Sequence, residues 1–170
     1  IERVEAAPQV VVAVCEGSVL GGGFGLACVA DVTLAAANAE FGLPETSLGL
    51  PPAQIAPFVV GRVGPSQARR LALTAARLSG RDALAIGLVH EVAEGSEALD
   101  AALERTLAQI ARCGPTALAV TKQILRDVAT VPRDKLLDEG AQRFADCVRS
   151  EEGTEGTMAF LQKRAPSWDD

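Results

Sequence analysis

The sequence predicts an α/β fold whose strand-and-helix core gives way to an all-helical region. Three observations carry this. A short β-branched run at residues 9–14 leads to three consecutive glycines, a helical small-residue segment and a second β-branched run, the order of an α/β unit. Glycine and proline then punctuate the chain up to about residue 95. From Ser96 onward, apolar residues recur at helical spacing.

Taken in order, residues 9–14 read as a buried strand, short, β-branched and bounded by Pro8 and Gly17. After Gly21-Gly22-Gly23, residues 24–30 read as a helix, with Leu26 and Ala27 among small neighbours. Residues 32–36 form a second strand and 40–43 a brief third. Gly42-Leu43-Pro44 and Gly49-Leu50-Pro51-Pro52 break the pattern, because proline restricts itself and the residue before it. Residues 53–63 are helical, with a kink or late start at Pro57. Ser66 is a candidate cap for a helix over 67–76, and Ser79 for one over 81–86, closed by Gly87. A last strand falls at 88–92.

Beyond Ser96 there are three apolar stripes: Leu99, Leu103, Leu107 and Ile110; Leu118, Thr121, Leu125 and Val128; Leu137, Ala141, Phe144 and Val148. Gly114-Pro115 and Val131-Pro132 separate them, and a fourth helix is expected over 154–163. The expected division is a core over 1–95 and a helical region over 96–170.

At 170 residues the chain is long enough for one domain with a helical appendage. No stretch approaches the length of a bilayer span. The opening Ile1-Glu2-Arg3-Val4-Glu5 lacks the basic-then-apolar pattern of a signal peptide, so a soluble cytoplasmic protein is the expectation. A formal net charge of −6 disfavours nucleic acid or an anionic membrane as partner. The adjacent basic pairs are Arg69-Arg70 and Lys163-Arg164. Cys15, Cys28, Cys113 and Cys147 show no C-x-x-C spacing, and His90 is the one histidine. No metal site is expected, and the cysteines read as reduced, small apolar residues.

Two places carry chemistry. Three glycines between a buried strand and a helix let a ligand approach the backbone. The first N–H groups of a helix are unpaired and carry partial positive charge, which suits an anion or a developing oxyanion. The spacing is neither G-x-G-x-x-G nor followed by G-K-[ST], which argues against a dinucleotide fold or a P-loop. Read from the residues alone, a tight packing turn is the competing explanation. The second place is Glu45, set between Phe41-Gly42-Leu43-Pro44 and Thr46-Ser47-Leu48-Gly49-Leu50. A glutamate in so apolar a setting is a candidate general acid and base; a solvated turn carboxylate is the alternative.

These two places, in this order, resemble a known signature. Residues 11–23, ending in Gly21-Gly22-Gly23, then Ala27-Cys28-Val29-Ala30-Asp31, then Phe41-Gly42-Leu43-Pro44-Glu45, look like the crotonase (enoyl-CoA hydratase/isomerase) superfamily. The likeness continues through residues 61–72, Gly87-Leu88-Val89, Lys122 and Ala159-Phe160-Leu161-Gln162-Lys163-Arg164.

The resemblance implies a spiral of ββα turns with C-terminal helices that build trimers, often paired into hexamers. It implies an acyl-CoA thioester substrate, coenzyme A being part of the substrate and no separate cofactor being needed. Gly22 matches one backbone donor to the thioester oxygen. The other donor, with much of the CoA-binding surface, lies upstream in a segment this chain lacks. Glu45 matches one of two glutamates that hydratases of the family use; the second falls on Gly25. Gly21, Gly23 and Gly25 are thereby expected to line the substrate, and Phe160 and Lys163 match positions that touch CoA from a neighbouring subunit, plain helix surface being the alternative for these two.

The segment Leu50-Pro51-Pro52-Ala53-Gln54-Ile55-Ala56-Pro57-Phe58-Val59 looks like the version in bacterial hydratases of methylglutaconyl-CoA and isohexenylglutaconyl-CoA, enzymes of leucine and acyclic terpene breakdown. The expected function is hydration of a branched 2-enoyl-CoA, with room beside Gly25 for a distal carboxylate. A single-glutamate enoyl-CoA isomerase and a non-catalytic crotonase-fold subunit are the alternatives. Asp31 and His90 are expected to be structural or surface residues, and Trp168, near the C-terminus, to make a subunit contact or to be disordered.

Overall fold

The computed structural model describes residues 1–169, which form two compact units. The first comprises Ile1–Ala7 and Val11–Arg105; the second comprises Pro8–Val10 and Thr106–Asp170. The helical region begins at Ser96, but the division between units falls later, inside a helix.

In the first unit a short helix α1 (Glu2–Glu5) precedes β1 (Val12–Cys15), β2 (Ser18–Leu20) and α2 (Gly22–Val29). Then come β3 (Val32–Ala36), β4 (Glu40–Gly42), a 3₁₀ turn (Glu45–Leu48) and α3 (Ala56–Thr74). The order β-β-α is thus repeated, and the two repeats stack. β1 pairs in parallel with β3, Val12 opposite Val32, and β2 pairs in parallel with β4, Leu20 opposite Gly42. Two consecutive ββα turns laid on each other in this way are the crotonase-type spiral. β5 (Arg77–Ser79) adds antiparallel to β4, and β6 (Glu91–Ala93) adds parallel to β3 after the short helix α4 (Gly80–Ala85).

Sequence patterning located β3 to the residue because Thr33–Ala36 are all buried. A parallel strand covered on both faces reads as a continuous apolar run. It missed β2 and β5, three residues each, which are too short to display a period. It also merged β1 with the chain before it and placed β6 three residues early.

The helix expected over 53–63 and the one expected over 67–76 form α3, broken at Gly64. Gly64 has φ 74 and ψ 162, and Pro65 follows it. The extended ψ is what a following proline demands, and the positive φ suits glycine. Ser66 therefore lies past the break and is not the cap. Ser79 does cap α4, accepting from Asp82 N–H while Ser79 N–H donates to Asp82 Oδ2 at 3.0 Å.

The core gathers Phe24, Leu34, Phe41, Leu43, Val59, Leu71 and Leu88. Phe24 and Phe41, both fully buried, meet edge to face with ring centroids 6.4 Å apart. Each buried ring contributes roughly 1.5–3 kcal/mol of transfer free energy. α2 contains three glycines, each worth about 1 kcal/mol less than alanine in a helix. Packing holds it instead: Phe24, Ala27, Cys28 and Val29 are buried.

Polar ties anchor its far end. Thr33 Oγ1 donates to Ala27 O at 3.1 Å, and Arg62 Nη2 donates to Thr33 Oγ1 at 3.1 Å and to Leu88 O at 3.1 Å. Asp31 Oδ2 accepts from Val11 N–H at 2.7 Å, tying the turn after α2 back to the start of β1.

His90 Nδ1 accepts from Thr33 N–H at 2.9 Å, so this nitrogen must be unprotonated. Burial, followed by the nearby Arg62 guanidinium, holds His90 below the ordinary imidazole value. The unfolded chain therefore binds the proton more readily. The stabilisation is complete above about 6.5, the ordinary value, and is lost as pH falls through the lowered one. We expect the melting temperature of the protein to fall between pH 7.5 and 5, and His90→Gln to reduce that fall. Parallel pH profiles of the two proteins would show that His90 has no such role.

The second unit holds the end of α5 (Ser96–Ala111), α6 (Pro115–Asp127), α7 (Arg133–Arg149) and α8 (Glu151–Gln162), as the three stripes and the fourth helix predict. Glu152 accepts from Thr116 and Ala117 N–H, both at 2.8 Å, at the start of α6. A carboxylate there satisfies orphan donors and complements the helix dipole. The junction of α7 and α8 at Ser150 is tight, since a Cβ on Gly153 would collide with Cys147 O. Trp168 Nε1 donates to Arg112 O at 3.2 Å. All four cysteines are free, and burial pushes the Cys15 and Cys28 thiols up to about 11 and about 12, which keeps them protonated and inert.

Candidate active site

Gly21 directly follows β2, and Glu45 follows β4 by three residues. Because β2 and β4 are parallel neighbours, both residues emerge at the same end of the pair. Ligand sites of α/β sheets lie at these carboxyl ends. The turn is closed by Gly21 N–H donating to Gly42 O at 3.0 Å. Gly21 has φ 50 and ψ −115, a conformation other residues rarely adopt.

The approach between the two is direct. A Cβ built on Gly21 would lie 3.0 Å from Glu45 Oε1. The backbone of Gly21 therefore faces the carboxylate with nothing between them. Gly22 opens α2, and Gly22 and Gly23 are exposed. Gly22 N–H is among the first donors of the helix, which lack intrahelical acceptors. Gly25 N–H, by contrast, already donates to Gly21 O at 3.0 Å. The first N–H groups of α2 thus point their partial positive charge out of the fold beside a glutamate.

Glu45 begins the 3₁₀ turn with Pro44 ahead of it and Gly49, φ 75, closing it. Leu50 N–H donates to Glu45 O at 3.0 Å, and Thr46 Oγ1 donates to Ala72 O at 2.7 Å, pinning the turn to α3. The side chain is only partly exposed. Its Oε2 is buried with no hydrogen-bond partner among the described residues. An unpartnered buried carboxylate oxygen is costly in a folded protein, and Oε2 is left free to accept from a water or a ligand.

Gly25 departs from expectation. The room predicted beside it is filled: a Cβ there would lie 2.5 Å from Ile55 Cγ2 and 3.1 Å from Ile1 Cδ1. The physical reason is that the turn before α3 turns Ile55, buried at 5% exposure, onto α2. Sequence reasoning marked residues 50–59 as unusual without singling out Ile55. A β-branched residue opposite a glycine that replaces a large side chain was the available signal. Next to Ile55, Ala56 lines an apolar cavity of about 220 Å³ with Leu43, Pro52, Val59, Ala68 and Ala72.

Phe160 and Lys163 belong to the second unit. Phe160 is 82% exposed near the end of α8, and Lys163 terminates that helix in a left-handed conformation, φ 55. Among the described residues, no three His, Cys, Asp or Glu side chains converge as a metal cluster would require. No helix among them is long and apolar enough to cross a membrane.

Comparison with known proteins agrees with this geometry. A family model described as enoyl-CoA hydratase/isomerase matches residues 1–170. Pseudomonas aeruginosa AtuE superposes with a TM-score of 0.98 at 58% identity, over 99% of this chain and 66% of that one. An enoyl-CoA hydratase/isomerase from Marinobacter aquaeolei gives 0.97 at 50% identity, over 99% and 64%. The carnitinyl-CoA dehydratase of Proteus mirabilis is 35% identical over 164 residues, 93% of this chain and 62% of the relative. The chain thus spans 62–66% of the length of these relatives.

Proposed function

The chain belongs to the enoyl-CoA hydratase/isomerase family of the crotonase superfamily, and on that premise we propose that it adds water to a branched 2-enoyl-CoA, a glutaconyl-type thioester being the specific substrate. The observation that carries this reading is the Glu45 carboxylate, its Oε2 buried and unpartnered, facing the glycine turn that opens α2.

The thioester oxygen accepts from Gly22 N–H at the positive end of α2. This draws electrons from the conjugated double bond. Glu45 takes a proton from water as the water oxygen bonds to Cβ. The double-bond electrons pass to the Cα–carbonyl unit, whose negative charge rests on the thioester oxygen. Cα then takes a proton, which Glu45 is placed to return. Water is added as OH on Cβ and H on Cα, and the reverse sequence is a dehydration. One carboxylate serves as acid and base in turn. The glutaconyl assignment rests on the resemblance of residues 50–59.

Incubating the full-length protein with 3-methylglutaconyl-CoA and isohexenylglutaconyl-CoA tests the proposal. We expect loss of the enoyl absorbance at catalytic rates, with oxygen-18 from labelled water in the product. If neither ester reacts, the glutaconyl assignment is wrong. Deuterium on carbon without oxygen-18 would identify an isomerase instead, a reading favoured by the single carboxylate.

The reading extends to self-association as a trimer or hexamer. Leu137, Phe144 and Val148, on one face of α7, are 67%, 71% and 54% exposed. A row of large apolar residues open to water is a common mark of a protein contact.

A further inference from the structure

Gly21 caps α2 and its carbonyl accepts from Gly25 N–H at 3.0 Å, so the two glycines lie one helical turn apart. A side chain begun at Gly21 meets Glu45 Oε1 at 3.0 Å. One begun at Gly25 meets Ile55 Cγ2 at 2.5 Å and Ile55 Cβ at 3.0 Å. The acid and the isoleucine are therefore neighbours along the start of α2, packed on residues about 6 Å apart along its axis. Gly22, which is exposed, lies between them in sequence.

Ile55 is not free to yield. It is 5% exposed. Its N–H donates to Pro52 O at 3.2 Å, and its carbonyl accepts from Val59 N–H at 3.0 Å. Both ends of the residue are thereby held at the start of α3. Branching at Cβ leaves its side chain few rotamers. The result is a stiff apolar wall one helical turn from the Glu45 carboxylate, in the volume a longer residue at position 25 would take.

We propose that Ile55 is a specificity-determining residue: its branched side chain is the wall that the acyl group meets beyond Glu45, and it limits the bulk of the one Cβ substituent of the thioester that points towards Gly25. The inference rests on the acyl-CoA reading of the site. An acyl group whose thioester oxygen lies at Gly22 and whose Cβ lies at Glu45 brings one Cβ substituent towards Gly25 and the Ile55 packed on it. Ile55 is apolar and fixed, so it sorts substituents by size rather than by charge.

The test uses two thioesters that cannot react, butyryl-CoA and 3,3-dimethylbutyryl-CoA, which differ in bulk at Cβ. Their affinities are measured by calorimetry for the full-length protein and for Ile55→Val and Ile55→Ala. The expected result is a shift of the affinity ratio towards 3,3-dimethylbutyryl-CoA, at least about tenfold for Ile55→Ala and smaller for Ile55→Val. Methylene-sized changes in an apolar pocket shift discrimination roughly 10–200-fold.

Ile55→Val removes one methylene and keeps the measurement open if Ile55→Ala does not fold. A ratio within twofold of the parent in the variants that fold, or affinities for both esters that fall together with the melting temperature, would overturn the proposal and leave Ile55 a packing residue. If the parent binds these esters yet hydrates no enoyl-CoA, the hydratase reading fails while the ratio still decides the role of Ile55. If the parent binds neither ester, both fall.

Discussion

Glu45→Gln is expected to lower kcat by at least about a hundredfold while leaving the affinity for a saturated acyl-CoA within a few-fold of the parent. Glutamine keeps the shape of the side chain, and the pin from Thr46 to Ala72 O is untouched, so the 3₁₀ turn should persist. What disappears is the group that accepts and returns the proton. General acid–base catalysis is worth roughly two to four orders of magnitude. A loss confined to kcat marks a group acting in the transition state. Position 25, one helical turn on, offers no second carboxylate, because it is a glycine packed against Ile55. Steady-state kinetics with the substrate proposed above, alongside calorimetry with butyryl-CoA, would check both halves. Turnover that survives the substitution would show that Glu45 is not the base.

Gly25→Glu is expected to be among the most destabilising single changes in the first unit. The new side chain starts 2.5 Å from Ile55 Cγ2, so it must displace a buried, held residue. Overpacking of that kind costs about 1–3 kcal/mol, and a carboxylate forced among apolar groups adds more. For a chain of this length each kcal/mol lowers the melting temperature by about 2–4 °C. Gly25→Ala should fall less, since alanine recovers about 1 kcal/mol of helix propensity.

The cause is checked by coupling. Combined with Ile55→Ala, Gly25→Glu should lose markedly less stability than alone, a non-additivity expected only of residues in contact. A Gly25→Glu protein with an unchanged melting temperature and better turnover of crotonyl-CoA would mean that the space beside Gly25 is open after all.

Residues 21–23 and Glu45 are legible in the sequence because both are locally unusual. Three glycines between a strand and a helix, and a glutamate inside an apolar stretch bounded by proline and glycine, stand out in any window of a few residues. The helices from Ser96 onward are legible for the same reason, since a 3.6-residue period is written in nearby positions. What those windows do not contain is partnership. That Gly21 faces Glu45 follows from β2 lying beside β4, a pairing of residues about twenty positions apart and of a three-residue strand with no period of its own.

The content of the space beside Gly25 is the clearest case. The absence of a side chain at that position can be read from the sequence, but an absence says nothing about what fills it. Ile55 does so because Pro51 and Pro52 turn the chain into α3 and α3 packs on α2. The sequence by itself determined the α/β class, the glycine turn and the lone acid, all of which depend on local backbone and polarity. Only the tertiary structure decided that the acid is partly buried with an unpartnered oxygen and that an isoleucine stands beside it. Close packing makes each volume depend on neighbours from distant parts of the chain.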